Sequence, residues 1–167
     1  TWRVLTIMPQ LRQVIPVLLC RLIGSARPHA VQTLAAEAVE IVGAVPDIQD
    51  ALADVSVCVA PLRFGAGIKG KVLESWSAGL PVVMTLIAAE GLVDPADPTW
   101  RTSIADTPSD FAERIAAFLD PATGRKQVRA GRRLLKTRFS EQAVIAALSP
   151  VLPEVFPAAE SDPPILN

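Results

Sequence analysis

Residues 61–81, PLRFGAGIKGKVLESWSAGLP, decide how the rest of this chain is read. Gly65, Gly67, Gly70 and Gly79 surround Lys69, Lys71 and Glu74, between the apolar runs SVCVAP (56–61) and LPVVMT (80–85). The two runs have the length and β-branched content of buried strands. Between them KGKVLESWSAG reads as a helix stopped by Gly79. A strand, a glycine-rich turn, a helix and a second strand are the repeating unit of a parallel α/β layer.

The same alternation extends in both directions. Upstream, PVLLCRLIG (16–24) reads as a strand buried on both faces, ARPHAVQTLAAE (26–37) as a turn and helix, and VEIVG (39–43) as another strand. PDIQDALADV is a short helix opened by Asp47. In the first segment Val4, Ile7, Met8, Leu11 and Ile15 share one helical face. Downstream, residues 102–106 form a weaker fifth strand, and PSDFAERIAAFLD is a capped helix with Phe111, Ile115, Phe118 and Leu119 on one side. Helices over 124–137 and 140–148 follow. The expected fold is α/β, a Rossmann-like open parallel sheet flanked by helices over residues 1–149, with right-handed crossovers. Residues 150–167, with five prolines in eighteen positions, read as a tail. The opening helix has neither a cap nor a preceding strand, so the domain is expected to continue beyond Thr1 into a larger protein.

Composition sets limits on partners. Half of the 167 residues are hydrophobic, enough for a core, and the net charge of −1 gives no global attraction to nucleic acid or anionic lipid. Cys20 and Cys58 sit inside apolar runs and read as small core thiols, which fits a reducing cytoplasm. No apolar run approaches the ~20 residues that span a bilayer, and no signal-peptide pattern is present.

In parallel α/β layers ligands sit at the carboxyl ends of strands, and LRFGAG is one such exit. A helix amino end exposes unpaired N–H groups, and glycine lets an anion approach them closely. Arg63, Lys69 and Lys71 add full charges suited to a diphosphate. Glu74, one turn into the helix, is placed to accept hydrogen bonds from two ribose hydroxyls. A blander reading competes: the glycines make a loop, the lysines are solvated, and Glu74 pairs with Lys69 or Lys71. The phosphate-loop pattern GxxxxGK[ST] is absent.

Residues 59–92, VAPLRFGAGIKGKVLESWSAGLPVVMTLIAAEGL, closely resemble the donor-binding segment of the group 1 glycosyltransferases, also called family 4, retaining enzymes of the GT-B fold. The pattern is carried by Gly65, Gly67, Lys69, Lys71, Glu74, Ala78, Gly79, Pro81, Val82, Val83, Ala89, Glu90, Gly91 and Leu92. The resemblance runs from residue 2 to 149. It includes GAVPD around Val45, Pro46 and Asp47, and RFS at 138–140. It implies that Glu74 holds the ribose and that Gly67, Ile68 and Lys69 present N–H groups to the diphosphate. Val45–Asp47 would border the nucleobase. Arg63 and Lys71 would join Glu74 as the charged groups of the reacting end, although Lys71 can equally face away. The donor is then a nucleoside-diphosphate sugar, such as a UDP or GDP sugar, used in polysaccharide biosynthesis by a hexosyltransferase. No metal is expected, because no Asp-x-Asp motif is present.

Two departures narrow what the resemblance implies. Ala66 stands eight positions before Glu74, where many relatives have a glutamate that touches the donor sugar. The acceptor-binding first domain of the GT-B fold, and the first strand of this half, would lie ahead of Thr1. A nucleotide-binding unit inactive by itself, and a sugar-nucleotide epimerase of the same fold, are therefore the alternatives to a transferase. Glu90 and Gly91, at the end of LPVVMT, either face the same crevice or cap a turn. His29 reads as a solvated residue at a helix start. Residues 125–138 hold seven basic side chains in fourteen and read either as a solvated helix face or as a peripheral contact with anionic membrane at its inner face.

Overall fold

In a computed structural model, residues 2–24, 29, 38–152 and 155 of the chain are described. The helix read over 26–37, apart from the helical, exposed His29, and most of the tail lie outside the described residues.

The described elements are helix α1 (Trp2–Val14), strands β1 (Cys20–Ile23) and β2 (Val39–Gly43), helix α2 (Ile48–Leu52), strand β3 (Cys58–Ala60), helix α3 (Gly70–Ser77) and strand β4 (Val82–Met84). Short helices α4 (Leu86–Ala89) and α5 (Pro98–Arg101) follow, then α6 (Pro108–Phe118) and α7 (Pro121–Leu134). A π-helical turn (Leu135–Phe139) leads into α8 (Glu141–Leu148). The α/β reading holds, and helices flank short parallel strands. Among the described residues, however, the strands form two parallel pairs, β1–β2 and β3–β4, rather than one run. The fifth strand is reduced to one bridge between Ile104 and Met84, held by Met84 N–H to the Ser103 carbonyl at 2.8 Å and Ala105 N–H to the Met84 carbonyl at 2.9 Å.

β4 shows how the layers form. Its side chains alternate, as a strand requires, and all three are fully buried. Val83 packs with Ile7, Met8 and Leu11 of α1 and with Phe111, Ile115 and Phe118 of α6. Val82 and Met84 face the other way, into a core with Val72, Trp76, Leu92 and Trp100. Helices on both faces of a parallel strand account for the unbroken apolar run. β1 departs from its expected burial. Only Cys20–Ile23 is strand, all four residues are half-buried, and Val17 is 92% exposed. Pro16 lies in a turn closed by Leu18 N–H to the Ile15 carbonyl at 3.1 Å, which ends the apolar run as a strand before it begins.

The N-caps are local and legible. Asp47, Thr85, Asp97, Thr107, Asp120 and Ser140 each accept a hydrogen bond from an N–H in the first turn that follows. α3 ends in a Schellman motif. Leu80 N–H reaches the Ser75 carbonyl at 2.9 Å and Gly79 N–H the Trp76 carbonyl at 3.1 Å, with Gly79 at φ +83° where a side chain would be strained. Among the described residues no helix is long and apolar enough to cross a membrane.

Candidate functional site

The segment between β3 and α3 lies on the surface. Arg63, Phe64, Gly65, Ala66, Gly67 and Ile68 are all exposed, and Gly67 takes φ +74°, a conformation open to glycine at no steric cost. No heavy atom comes within 4 Å of where a Cβ on Gly65, Gly67 or Gly70 would sit, so the glycines here leave open approach to the backbone rather than fill a packed corner. Lys69 closes the loop. It is only 7% exposed, and its Nζ donates to the Gly67 carbonyl, so its charge is folded onto the loop backbone at the helix entrance.

α3 divides by face. Val72, Ser75 and Trp76 are buried, while Gly70, Lys71, Glu74 and Ser77 are exposed along one side. Among the described residues, no hydrogen bond or ion pair engages the carboxylate of Glu74 or the ammonium of Lys71. The pairing of Glu74 with Lys69 or Lys71 that the sequence left open is therefore not formed. Ser75 Oγ donates to the Lys71 carbonyl at 2.7 Å. It also lies against Cys58, whose thiol burial pushes up, with the Ser75 contact opposing; this suits a packed, unreactive thiol rather than a nucleophile. Cys20 is likewise free and pushed up by burial.

The exit of β4 joins the exit of β3. Thr85 is 1% exposed; its Oγ1 donates to the Leu62 carbonyl at 2.7 Å and accepts from Ala88 N–H at 3.2 Å, and its N–H reaches the Ala60 carbonyl at 3.3 Å. Glu90 and Gly91 follow one short helix later. Both are exposed, the Glu90 N–H caps α4 on the Leu86 carbonyl at 3.1 Å, and Gly91 takes φ +74°. Arg63, Gly65, Gly67, Ile68, Lys69 and Glu74 thus belong to one strand exit, tied through Thr85 to the segment that leads to Glu90 and Gly91. Val45, Pro46 and Asp47 follow β2 in the other strand pair. Asp47 is the cap of α2, accepting from Gln49 N–H at 2.7 Å, and among the described residues no hydrogen bond links this turn to the 61–69 loop.

Three supporting residues were not singled out from sequence. Thr85 is one. The others are Arg132, read only as a member of a basic segment, and Arg138, read as a member of that segment and of the RFS match but given no role. Arg132 donates to the Trp76 and Ser77 carbonyls at 3.3 Å each, holding the carboxyl end of α3. Arg138 donates to the Leu92 carbonyl at 2.9 Å and the Gly91 carbonyl at 3.4 Å. Orphan carbonyls at the end of a helix attract such cations, but the carbonyls and the cations here are 46 to 56 residues apart in sequence. Trp100 also finds its place, with its ring centroid 5.2 Å from that of Trp76 at an interplanar angle of 40°.

A parallel α/β layer flanked by helices, with an exposed glycine-rich loop at a strand exit, has the arrangement of a Rossmann-like domain. The chain belongs to the group 1 glycosyltransferases: the family model described as "Glycosyl transferases group 1" matches residues 2–121. No curated protein and no solved structure gives a significant match. Family membership supports a glycosyl transfer function and implies a nucleotide-sugar donor.

Proposed function

We propose that this domain binds the nucleoside-diphosphate sugar, of the UDP or GDP type, for a retaining, family 4 hexosyl transfer. The observation that carries this reading is Glu74: an exposed carboxylate without a protein partner among the described residues, one turn inside a helix whose entrance is an open glycine-rich loop. In this reading Glu74 accepts the two ribose hydroxyls, while N–H groups of Gly67, Ile68 and Lys69 face the diphosphate across the space that Gly65 leaves open. Arg63 and Lys71 add charge there, Val45–Asp47 border the base, and Glu90 and Gly91 approach from the neighbouring strand exit. Transfer breaks the bond between the anomeric carbon and the diphosphate oxygen, which keeps the electron pair. Oriented N–H groups and cations stabilise that leaving charge, without need of a metal.

The acceptor is proposed to bind a further domain, so that this unit alone holds donor without turning it over; orientation of both substrates supplies much of the rate. Placement at the inner face of a membrane, in the cytoplasm, belongs to the same proposal. With Arg132 and Arg138 turned onto backbone carbonyls, the cations left for an anionic surface are Arg125, Lys126, Arg129, Arg133 and Lys136, all exposed. Flotation with phosphatidylserine vesicles checks this, and absence of binding at low salt removes it.

Calorimetric titration with UDP and GDP tests the donor site. Loss of hydrogen bonds to a charged acceptor costs about 1.5–3 kcal/mol, so Glu74→Ala is expected to weaken binding roughly 10- to 150-fold. Unchanged affinity in that variant removes the ribose assignment.

A further inference from the structure

Among the described residues Lys69 is a buried cation without a counter-charge. Its neighbour Lys71 is exposed, as a lysine usually is. Lysine ordinarily lays its stem along the surface and keeps the ammonium in water, and burying a charge without an opposite one is unfavourable. The ion pairs among the described residues are Arg21 with Glu40 and Asp54, and Arg114 with Glu113, so no carboxylate pairs with Lys69 there. Its Nζ donates instead to the Gly67 carbonyl, two residues back along the loop.

That bond fixes more than a carbonyl. A trans peptide is planar, with its C=O and N–H pointing in opposite directions, and among the described residues no peptide is cis. The Gly67 carbonyl and the Ile68 N–H belong to one such unit. With the carbonyl drawn to the buried ammonium, the Ile68 N–H is turned the other way, off the packed side of the loop. Among the described residues it donates to no acceptor, and the Ile68 side chain beside it is exposed. Gly67 makes the turn at φ +74°. No heavy atom comes within 4 Å of where its Cβ would sit, so glycine serves the backbone conformation here and not a tight fit. A carbonyl that accepts from a cation also polarises its own peptide, which makes the N–H at the other end a stronger donor.

We propose that Lys69 is a positioning residue: from behind the loop its ammonium holds the Gly67–Ile68 peptide so that the Ile68 N–H faces the open side, preset for an oxygen of a diphosphate. The ammonium stays on the Gly67 carbonyl when the anion arrives and does not itself touch it. The choice of ligand rests on the donor reading above, whereas the orientation of the peptide does not. A preset N–H needs no rearrangement as negative charge approaches, which is the advantage of holding it with a buried cation over leaving the peptide free to swing.

The test is nuclear magnetic resonance of the full chain and its Lys69→Met variant, without ligand and with inorganic pyrophosphate. Met keeps an unbranched side chain and removes the ammonium. Without ligand the Ile68 N–H of the wild-type chain is expected to hold one direction, read from its residual dipolar coupling and relaxation. In Lys69→Met it is expected to be averaged, while the amides within α3 are unchanged. Pyrophosphate is expected to shift the Ile68 amide proton of the wild-type chain and to bind Lys69→Met at least about tenfold more weakly. The scalar coupling across the hydrogen bond from Lys69 Nζ to the Gly67 carbonyl carbon is expected to persist with pyrophosphate bound. Loss of that coupling on binding overturns the proposal, because the ammonium would then have moved onto the anion. An Ile68 N–H that keeps its direction in the unliganded variant overturns it too, as does an averaged one beside undiminished pyrophosphate binding. If the wild-type chain binds neither pyrophosphate nor UDP nor GDP, the donor reading itself has failed and this proposal falls with it. Failure of this proposal alone is recognised by intact wild-type binding. Should Lys69→Met not fold, the coupling and the Ile68 shift in the wild-type chain decide.

Discussion

The Thr85 hydroxyl donates to the Leu62 carbonyl at 2.7 Å and, with the Thr85 N–H bond to the Ala60 carbonyl at 3.3 Å, ties the exits of two neighbouring parallel strands together. The same oxygen caps α4 through Ala88 N–H. Thr85→Val keeps the shape and removes both functions. Loss of the cap and of a buried hydrogen bond is expected to lower stability by about 1–3 kcal/mol, measured by urea denaturation. Because the freed loop is the proposed phosphate-facing segment, nucleotide affinity is expected to fall as well, and Thr85→Ser is expected to restore both. Rescue of stability without affinity would separate the loop from the ligand.

Gly131 lies against Trp76. A Cβ at that position would sit 2.4 Å from the indole, nearer than packed atoms approach, so α7 can lie on α3 only because this residue has no side chain. In a solvent-facing helix Gly→Ala stabilises by roughly 0.5–1 kcal/mol. Here overpacking is expected to win, with a net loss of about 1–3 kcal/mol and a change in tryptophan fluorescence as the Trp76–Trp100 pair shifts. An unchanged melting temperature in Gly131→Ala would show that the two helices separate easily.

Acid stability follows from the caps. Asp97 and Asp120 accept backbone N–H bonds at Thr99 and Thr123, which hold both carboxyls below the ordinary aspartate range. Asp54 is lowered by the Arg21 guanidinium. A folded-state pKa below the unfolded value means that the unfolded chain binds more protons as pH falls. These groups therefore contribute stability that is present above the unfolded pKa and lost as pH drops through the folded one, progressively below about pH 5. Asn caps helices about as well as Asp. Asp97→Asn with Asp120→Asn is thus expected to leave the melting temperature near pH 7 little changed and to flatten its fall between pH 5 and pH 3. An equally steep fall in the double variant would locate the acid sensitivity elsewhere.

The parts of this fold that were legible in sequence are those fixed by near neighbours. Asp47 as a cap, Gly79 as a stop and the burial of Phe111, Ile115 and Phe118 depend on residues within one or two turns, and the structure has all of them. β1 was overextended because hydropathy over 16–19 reports apolar content and not pairing, and Pro16 turns the chain before any ladder forms. The two-pair sheet was illegible because ladder partners are set by tertiary packing, which no window of sequence contains. At the site, the exposed loop and Glu74 were visible as a strand exit rich in glycine and charge. Thr85, Arg132 and Arg138 were not, since each acts on a carbonyl 23 to 56 residues away.

The basic segment therefore splits into two populations, and substitution should separate them. Arg138 bonds the Leu92 and Gly91 carbonyls and lies over the Phe139 ring, 5.4 Å from its centroid. Arg129 is exposed on α7, and among the described residues nothing engages its side chain. Truncating a cation that caps otherwise unpaired carbonyls is expected to cost about 1–2 kcal/mol, whereas an exposed position away from such contacts changes stability by less than about 0.5 kcal/mol. Arg138→Ala should accordingly lower the denaturation midpoint and loosen the Glu90–Gly91 turn, with a fall in nucleotide affinity if that turn borders the ligand. Arg129→Ala should do neither, and should weaken vesicle binding if the outward cations meet an anionic surface. Equal effects of the two variants on folding would mean that the Arg138 bonds carry no stability, and the turn would then be held by its backbone hydrogen bonds, such as Glu90 N–H to the Leu86 carbonyl at 3.1 Å and Leu92 N–H to the Ala89 carbonyl at 3.0 Å, and by the buried Leu92 side chain.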